Sequence, residues 1–373
     1  MKKNNSSCLL RLTLVMPTYN RQDYALRNMR YWSNKGVTLR VLDGSNAPIE
    51  DRLLETLGKN IIYRHDRVTI HQRLKSVIPE ISTEYVALMG DDEFYINSAV
   101  ISCINELDAD DSIVGCCGQC MGFSFDDNIN KVCGWLPYGA DFFNYNEVMY
   151  EDSVERLESH MKNYKPTLIY GITRAQQWNT AFKAATEKEF NFFAAFELQF
   201  EMCISFLGKA KVLSELMWLR SDEVEPVRNI YKNMESEKSF KEWWLYSDNA
   251  KQQAEFIEIM SQAFKSFDYD TGMNYENIVK HGCNSYTSRG KKSRMVRGLS
   301  PRLLTFFITI RSFIKKIKPV VKVKSDMERL DFLTQVELMK DQGVKVDYLI
   351  LKEILAIVYS FHSIKNDMLD KWD

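Results

Sequence analysis

The chain has 373 residues and a formal net charge of −1; 45% of its residues are hydrophobic and 12% aromatic. This length and composition can bury a sizeable core and predict a globular protein of two domains, or of one domain with an extension. The near-neutral charge argues against a protein that coats nucleic acid, and eight cysteines without regular spacing favour reduced thiols over a disulfide framework.

The amino terminus does not resemble a signal peptide, because only a short apolar run follows residues 1–7 before charged residues return. No stretch reaches the roughly 20 uninterrupted apolar residues that a membrane-spanning helix needs. We therefore expect a cytoplasmic protein. Cys117-x-x-Cys120 has no second pair and no nearby histidine to complete a zinc set, so the sequence does not favour structural zinc.

The first hundred or so residues alternate between strand and helix patterns. Residues 12–17 are continuously apolar, as in a central parallel strand, 23–32 have helical spacing, and 37–42 read as a second strand that ends at Asp43. A strand, a helix and a strand within about thirty residues form a βαβ unit, whose parallel strands end at the same edge of the sheet. The sequence therefore predicts an α/β fold.

An acidic cluster follows another apolar run. Residues 86–89 lead through Gly90 into Asp91, Asp92 and Glu93. Adjacent carboxylates repel and raise one another's pKa unless a metal or basic groups neutralise them, so the cluster predicts a Mg²⁺ or Mn²⁺ site. An acidic turn after a strand is the alternative. Ligands of open α/β sheets lie beyond the carboxyl ends of the strands, where the loop 17–21, Asp43 and this cluster should converge.

Three motifs in the right order and spacing resemble GT-A glycosyltransferases of the family-2 type over residues 10–220: Met-Pro-Thr-Tyr-Asn-Arg at 16–21, Leu-Asp-Gly-Ser at 42–45 and Glu-Tyr-Val-Ala-Leu-Met-Gly-Asp-Asp-Glu at 84–93. The resemblance implies a mixed, mostly parallel sheet flanked by helices and a nucleotide-sugar donor, with a UDP-sugar favoured. It implies donor contacts from Pro17, Thr18, Tyr19, Arg21, Asp43 and Asp91. It also implies Mn²⁺ or Mg²⁺ on Asp91, Asp92 and Glu93, without deciding which of them ligate.

Two basic residues precede the acidic strand. Arg73 and Lys75 lie in a predicted helix at 71–81 and are candidates for contact with the donor diphosphate, with solvation at the surface as the alternative. His160 falls in a charged helical segment and is interpreted as a surface residue.

A predicted helix at 192–208 carries Glu197, and Gly208 ends it. Counted back from Gly208, Glu197 occupies the place of the catalytic Asp in the resembled family, so the resemblance implies that it is the base of an inverting transfer. An acid favoured by the helix dipole is the alternative. Met89 and Phe196 stand where relatives have acids. These two positions keep a catalytically silent nucleotide-sugar-binding scaffold open. A nucleotidyl- or phosphosugar transferase on a similar fold is a further alternative.

The sequence predicts a domain at 1–225 that contains the resembling residues 10–220, followed by a helical region at 226–373. Between 289 and 324 this region has 12 basic residues and no acidic one. Apolar positions at helical spacing in 302–318 predict an amphipathic helix that lies on an anionic membrane surface. A helix in the protein interior is the alternative. Binding of nucleic acid is not favoured. Membrane contact suits transfer to a glycan or lipid-linked glycan hydroxyl in surface polysaccharide biosynthesis.

Overall fold

The computed structural model describes residues 5–138, 147–192, 194–224, 240–245, 249–267, 272–288 and 330–369. The basic segment 289–324, with its expected membrane-contacting stretch 302–318, lies outside these residues. Among the helices that are described, none is long and apolar enough to cross a bilayer.

The described elements alternate strands and helices through the first two thirds of the chain. The strands are β1 (Leu12–Thr18), β2 (Thr38–Asp43), β3 (Ile61–His65), β4 (Tyr85–Leu88), β5 (Phe94–Tyr95), β6 (Ile113–Asp126), β7 (Lys131–Trp135), β8 (Ile172–Arg174), β9 (Lys209–Ser221) and β10 (Leu330–Asp331). The helices are α1 (Asn5–Leu9), α2 (Gln22–Trp32), α3 (Asp51–Leu54), α4 (Ile70–Val77), α5 (Asn97–Ala109), α6 (Ser153–Lys162), α7 (Ala175–Glu187), α8 (Ala195–Leu207), α9 (Phe240–Leu245), α10 (Ala250–Lys265), α11 (Tyr275–Ser288), α12 (Phe332–Asp341) and α13 (Tyr348–Leu369).

All ten strands belong to one mixed sheet. Its main order is β10-β7-β6-β8-β4-β1-β2-β3, and β9 pairs with β6 and β5. Strands β3, β2, β1 and β4 are mutually parallel, whereas β8 joins β4 and β6 in antiparallel orientation. The predicted α/β fold, a sheet with parallel strands flanked by helices, is confirmed.

Apolar runs and polar stops explain the elements that position the site. β1 is apolar and almost entirely buried, as expected for a central parallel strand. α2 packs Tyr24, Met29 and Trp32 into the core and ends before Asn34 and Gly36, both with positive φ. The predicted stop is therefore present, since these residue types tolerate the left-handed conformation best.

The C-terminal helices pack on two different parts of the protein. α10 and α11 contact α6, α7 and α8. α12 and α13 pack against β7 and α2, and β10 extends the sheet next to β7. Two apolar cores result, one that includes residues of α12 and α13 and one that includes residues of α10 and α11. The division at residue 225 stays a prediction.

Candidate functional site

The order of strands reverses at β1. The chain runs from β1 to β2 and β3 on one side, and returns to place β4 on the other. In an open α/β sheet a crevice forms at such a point, beyond the carboxyl ends of the strands. The loop after β1 and the acidic turn after β4 both lie at this edge, and Thr18 contacts Asp91 across it. The structure thus brings together the loops that the sequence analysis expected to converge.

Asp91 is fully buried and engaged by side chains of the first loop. Thr18 Oγ1 donates to its Oδ2 over 2.7 Å, and Arg21 Nε donates to the same oxygen over 3.1 Å while Nη2 pairs with Oδ1. Burial and the neighbouring Asp92 raise the pKa of Asp91 to about 7, against the opposing effects of Arg21 and Thr18. Asp91 therefore fixes the first loop against the acidic turn.

Asp92 is the least committed carboxylate of the three. Its nearest cation is Arg21, whose Nη1 lies 3.6 Å from Oδ2, and its side chain is 10% exposed. Among the described residues, no other side chain donates a hydrogen bond to this carboxylate within the usual distance. Burial raises its pKa, while the charges of Arg21 and Arg27 lower it. Of the acidic turn, Asp92 has the most capacity left for a ligand.

Glu93 turns toward the second half of the sheet. Its Oε2 accepts a 2.9 Å hydrogen bond from the indole Nε1 of Trp218 on β9 and a 3.3 Å bond from the Gly90 amide. Burial and Asp92 together raise the pKa of Glu93 to about 8. Glu93 Oε2 is already committed to Trp218 and Gly90, which leaves this carboxyl less free to bind a cation.

Asp43 is fully buried at the end of β2 and organises the neighbouring loop. Tyr63 Oη donates to its Oδ2 over 2.6 Å and Gln22 Nε2 over 2.9 Å, while Oδ1 accepts from the Ser45 amide over 2.8 Å. Pro17 and Tyr19, the other predicted donor contacts, are half-buried beside it on β1 and in the loop that follows.

Arg73 and Lys75 of α4 face different surroundings. Arg73 is buried, and its Nη1 donates to the carbonyls of Thr18, over 2.7 Å, and Leu42. It thus ties together the ends of β1 and β2. Lys75 lies at the exposed surface, where Nζ is 2.9 Å from Glu187 Oε2. The structure therefore places Arg73 under the loops that follow β1 and β2 and does not bring Lys75 to the acidic turn.

Glu197 lies in the first turn of α8 and is half-buried. Tyr164 Oη donates a hydrogen bond to Oε1. Burial raises the pKa of Glu197 to about 7, although the Tyr164 bond and the positive charge of Arg220 act in the opposite direction. The charge of Arg220 also lowers the pKa of Glu93. Glu197 and Glu93 of the acidic turn therefore both respond to the charge of Arg220.

His160 is buried, so its interpretation as a surface residue is wrong. Its Nε2 lies 2.6 Å from Glu201 Oε2, and both side chains are completely inaccessible. Glu201 Oε1 accepts 3.0 Å hydrogen bonds from the amides of Leu168 and Ile169. This pair fixes the loop between α6 and β8, which includes Tyr164, the hydrogen-bond donor to Glu197.

Several residues of the site were missed by sequence reasoning. Arg27 and Asn28 of α2 donate to the backbone carbonyls of Asp92 and Asp91, over 2.9 and 2.6 Å. Arg27 follows Tyr24 by three positions, so it lies on the apolar face of an amphipathic helix. A charged residue on the apolar face of a helix indicates that it has a buried partner. This signal was present in the sequence and could have identified Arg27 as a site residue.

The acidic turn can provide a divalent cation with few protein ligands. In the part of the chain that the structure describes, no three His, Cys, Asp or Glu side chains are arranged to hold a metal between them. A Mg²⁺ shell, however, needs only one or two protein carboxylates when substrate phosphates and water complete it. Asp92 meets this requirement, whereas Asp91 and Glu93 already accept hydrogen bonds from Thr18, Arg21 and Trp218.

The sequence matches no family model and no curated protein sequence. The structure is similar to that of S. aureus TarS 1-349, with 10% identity, a TM-score of 0.41 and coverage of 74% of this chain and 89% of that one. The structure of S. aureus TarS 1-349 in complex with UDP-GlcNAc has 11% sequence identity and a TM-score of 0.42, and the match covers 74% of this chain and 90% of that one. The structure of S. aureus TarS 1-349 in complex with UDP has 12% sequence identity and a TM-score of 0.41, and the match covers 74% of this chain and 89% of that one.

Proposed function

We propose that this protein is a glycosyltransferase that moves a sugar from a nucleotide-sugar donor to a hydroxyl group of a glycan. The observation that carries the proposal is the presence of two unlike acidic groups that both respond to the charge of Arg220. One is an acidic turn at the strand-order reversal, and the other is Glu197, a carboxyl whose pKa of about 7 suits a base at neutral pH. The motifs at 16–21, 42–45 and 84–93 support the same conclusion.

In the proposed reaction Glu197 accepts the proton of the acceptor hydroxyl as that oxygen bonds to the anomeric carbon. The bond from the anomeric carbon to the diphosphate oxygen breaks on the opposite face, so the configuration inverts and the nucleoside diphosphate leaves with the bonding electrons. Tyr164 orients the Glu197 carboxylate through its hydrogen bond to Oε1. Thr18 and Arg21 hold Asp91, which keeps the donor loop and the acidic turn together.

Asp92 would hold a Mn²⁺ or Mg²⁺ ion bound to the donor diphosphate, and that ion would neutralise charge on the leaving group. The acceptor that we propose is a glycan or lipid-linked glycan of a surface polysaccharide, glycosylated at the cytoplasmic side of the membrane. The basic composition of 289–324 supports contact with an anionic membrane surface.

The test is release of nucleotide from a panel of UDP-, GDP-, dTDP- and CMP-sugars, with and without Mn²⁺, analysed by mass spectrometry. The proposal predicts one nucleoside diphosphate product and an intact released or transferred sugar. Exchange of a nucleoside monophosphate with pyrophosphate would instead identify a nucleotidyltransferase. Binding of a nucleotide sugar without turnover, under all these conditions and with candidate glycans added, would identify a silent scaffold.

The pH profile of the reaction should report the ionisation of Glu197. Because the carboxylate form is the base, and burial raises its pKa to about 7, kcat should rise with pH up to about 7 and then level off. Activity should therefore fall about tenfold for each pH unit below that value, as expected for one essential proton. A profile that is flat between pH 5 and pH 8 would show that Glu197 is not the base.

Asp92→Asn should remove the metal-dependent part of nucleotide binding, because Asp92 is the uncommitted carboxylate of the turn. We expect the electron paramagnetic resonance signal of bound Mn²⁺ in the presence of nucleoside diphosphate to weaken at least tenfold. The matched control is Glu93→Gln, which keeps the acceptor oxygen for Trp218 and should retain Mn²⁺. Loss of the signal in Glu93→Gln, with normal binding in Asp92→Asn, would reverse the assignment.

A further inference from the structure

The C-terminal helix α13 reaches the acidic turn through a buried chain of polar contacts. His362 Nε2 lies 2.6 Å from Glu223 Oε1, just beyond the end of β9. Glu223 Oε2 lies 2.7 Å from Arg27 Nη2, and the same nitrogen donates to the carbonyl of Asp92 over 2.9 Å. Because a carboxylate can only accept, the imidazole is the donor in the first contact. One residue of α13 is thus connected to the backbone of Asp92.

Arg27 is held in one orientation. It is 3% exposed, and its guanidinium carbon lies 4.7 to 5.1 Å from the ring centres of three aromatic residues, which are Tyr24, Phe94 and Phe361. Its charge is compensated by Glu223, whose side chain is 1% exposed. A buried guanidinium of this kind depends on its partner carboxylate, because an unpaired charge in this environment is costly.

Glu223 is in turn oriented by groups on two elements. Ser221 Oγ donates to Oε2 over 3.2 Å, while His362 donates to the other oxygen. The His362 ring is itself fixed by a parallel stack on Phe125 of β6, with ring centres 4.1 Å apart and an interplanar angle of 4°. The donor that reaches Glu223 is therefore rigidly placed by packing between α13 and the sheet.

We propose that His362 is a positioning residue for the nucleotide-sugar site, and that α13 is part of the machinery that shapes that site. His362 orients Glu223, and Glu223 in turn holds the Arg27 guanidinium in place. Arg27 and Asn28 then fix the positions of the backbone carbonyls of Asp92 and Asp91 through hydrogen bonds. The inference rests on the proposed function for its kinetic consequence. The coupling of α13 to the acidic turn does not depend on that function and can be measured separately.

The test uses three variants of the full chain. His362→Phe keeps an aromatic ring for the stack on Phe125 and removes the N–H, whereas His362→Gln restores a donor at similar reach. Tyr359→Phe is the matched control, because Tyr359 lies one turn earlier on α13 and its hydroxyl accepts a hydrogen bond from the Val132 amide instead. Melting temperatures identify any variant that is globally destabilised.

Hydrogen exchange of the peptide that covers residues 89–96 is the readout that does not require activity. The proposal predicts faster exchange there in His362→Phe than in Tyr359→Phe, with His362→Gln close to wild type. It also predicts an increase of about tenfold in the donor KM of His362→Phe, with the acceptor KM unchanged, as for other residues that orient a ligand-binding group.

Equal exchange of this peptide in His362→Phe and Tyr359→Phe would overturn the inference, and so would an increase spread evenly over the whole chain. If the wild type turns over no nucleotide sugar but the local exchange differs as expected, the proposed function fails and the coupling stands. If the wild type is active and the variants match the control in both measurements, the coupling fails and the proposed function stands.

Discussion

Glu197→Gln is expected to abolish sugar transfer and to leave nucleotide binding intact. The amide can still accept the hydrogen bond from Tyr164, so the loop between α6 and β8 keeps its position. It cannot accept a proton from the acceptor hydroxyl, and loss of a general base costs roughly 10² to 10⁴ in rate. We expect a fall of this size in kcat with the donor dissociation constant unchanged, measured by product formation and by calorimetry.

The control for Glu197→Gln is the same substitution at Glu187, a surface carboxylate on α7 that pairs with Lys75. Glu187→Gln should have wild-type kcat and KM. Turnover at the wild-type rate in Glu197→Gln would remove Glu197 from the chemistry. A large rise in the donor dissociation constant, with kcat retained, would instead make Glu197 a donor-binding residue.

Glu201→Leu is expected to produce the largest loss of stability among single substitutions near the site. Glu201 is completely buried. Its carboxylate lies within hydrogen-bond distance of His160 and accepts hydrogen bonds from the amides of Leu168 and Ile169. Leucine fills similar space but leaves these groups without an acceptor, which is the costly way to break a buried polar pair. We expect the free energy of unfolding to fall by about 3–5 kcal/mol, measured by urea denaturation.

Glu201→Gln separates the geometry of this pair from its charge. The amide oxygen can accept from both backbone amides, and the amide nitrogen can donate to His160 in the other tautomer. This variant should therefore keep most of the stability that Glu201→Leu loses. Wild-type unfolding of Glu201→Leu would show that the loop carrying Tyr164 is held by other contacts.

The strand-end loops of the site could be predicted from the sequence because their strands are apolar runs with clear polar ends. The predicted strand at 12–17 corresponds to β1 (Leu12–Thr18), and the one at 37–42 to β2 (Thr38–Asp43). The short strands β5 and β8, of two and three residues, could not be found in this way. They are too short to show a period, and their pairing depends on β9, β4 and β6, which are distant in sequence.

The buried polar pairs show where local reasoning failed. His160 lies on the same helix face as the buried residues Leu157 and Met161. This spacing was a better indicator of its burial than the charged composition of α6, which suggested exposure. Its partner Glu201 is 41 residues away. The Glu223–His362 contact spans 139 residues, so neither sequence spacing nor a local motif could reveal it.

The most direct test of the proposed donor site is calorimetric titration of UDP, GDP, CMP and dTDP, with and without Mn²⁺, into the wild type and into Asp91→Ala/Asp92→Ala. The account predicts that one nucleoside diphosphate, with UDP favoured, binds only when Mn²⁺ is present and that the double variant loses this binding. Equal binding by the double variant, or no binding of any nucleotide by the wild type with Mn²⁺ present, would contradict it.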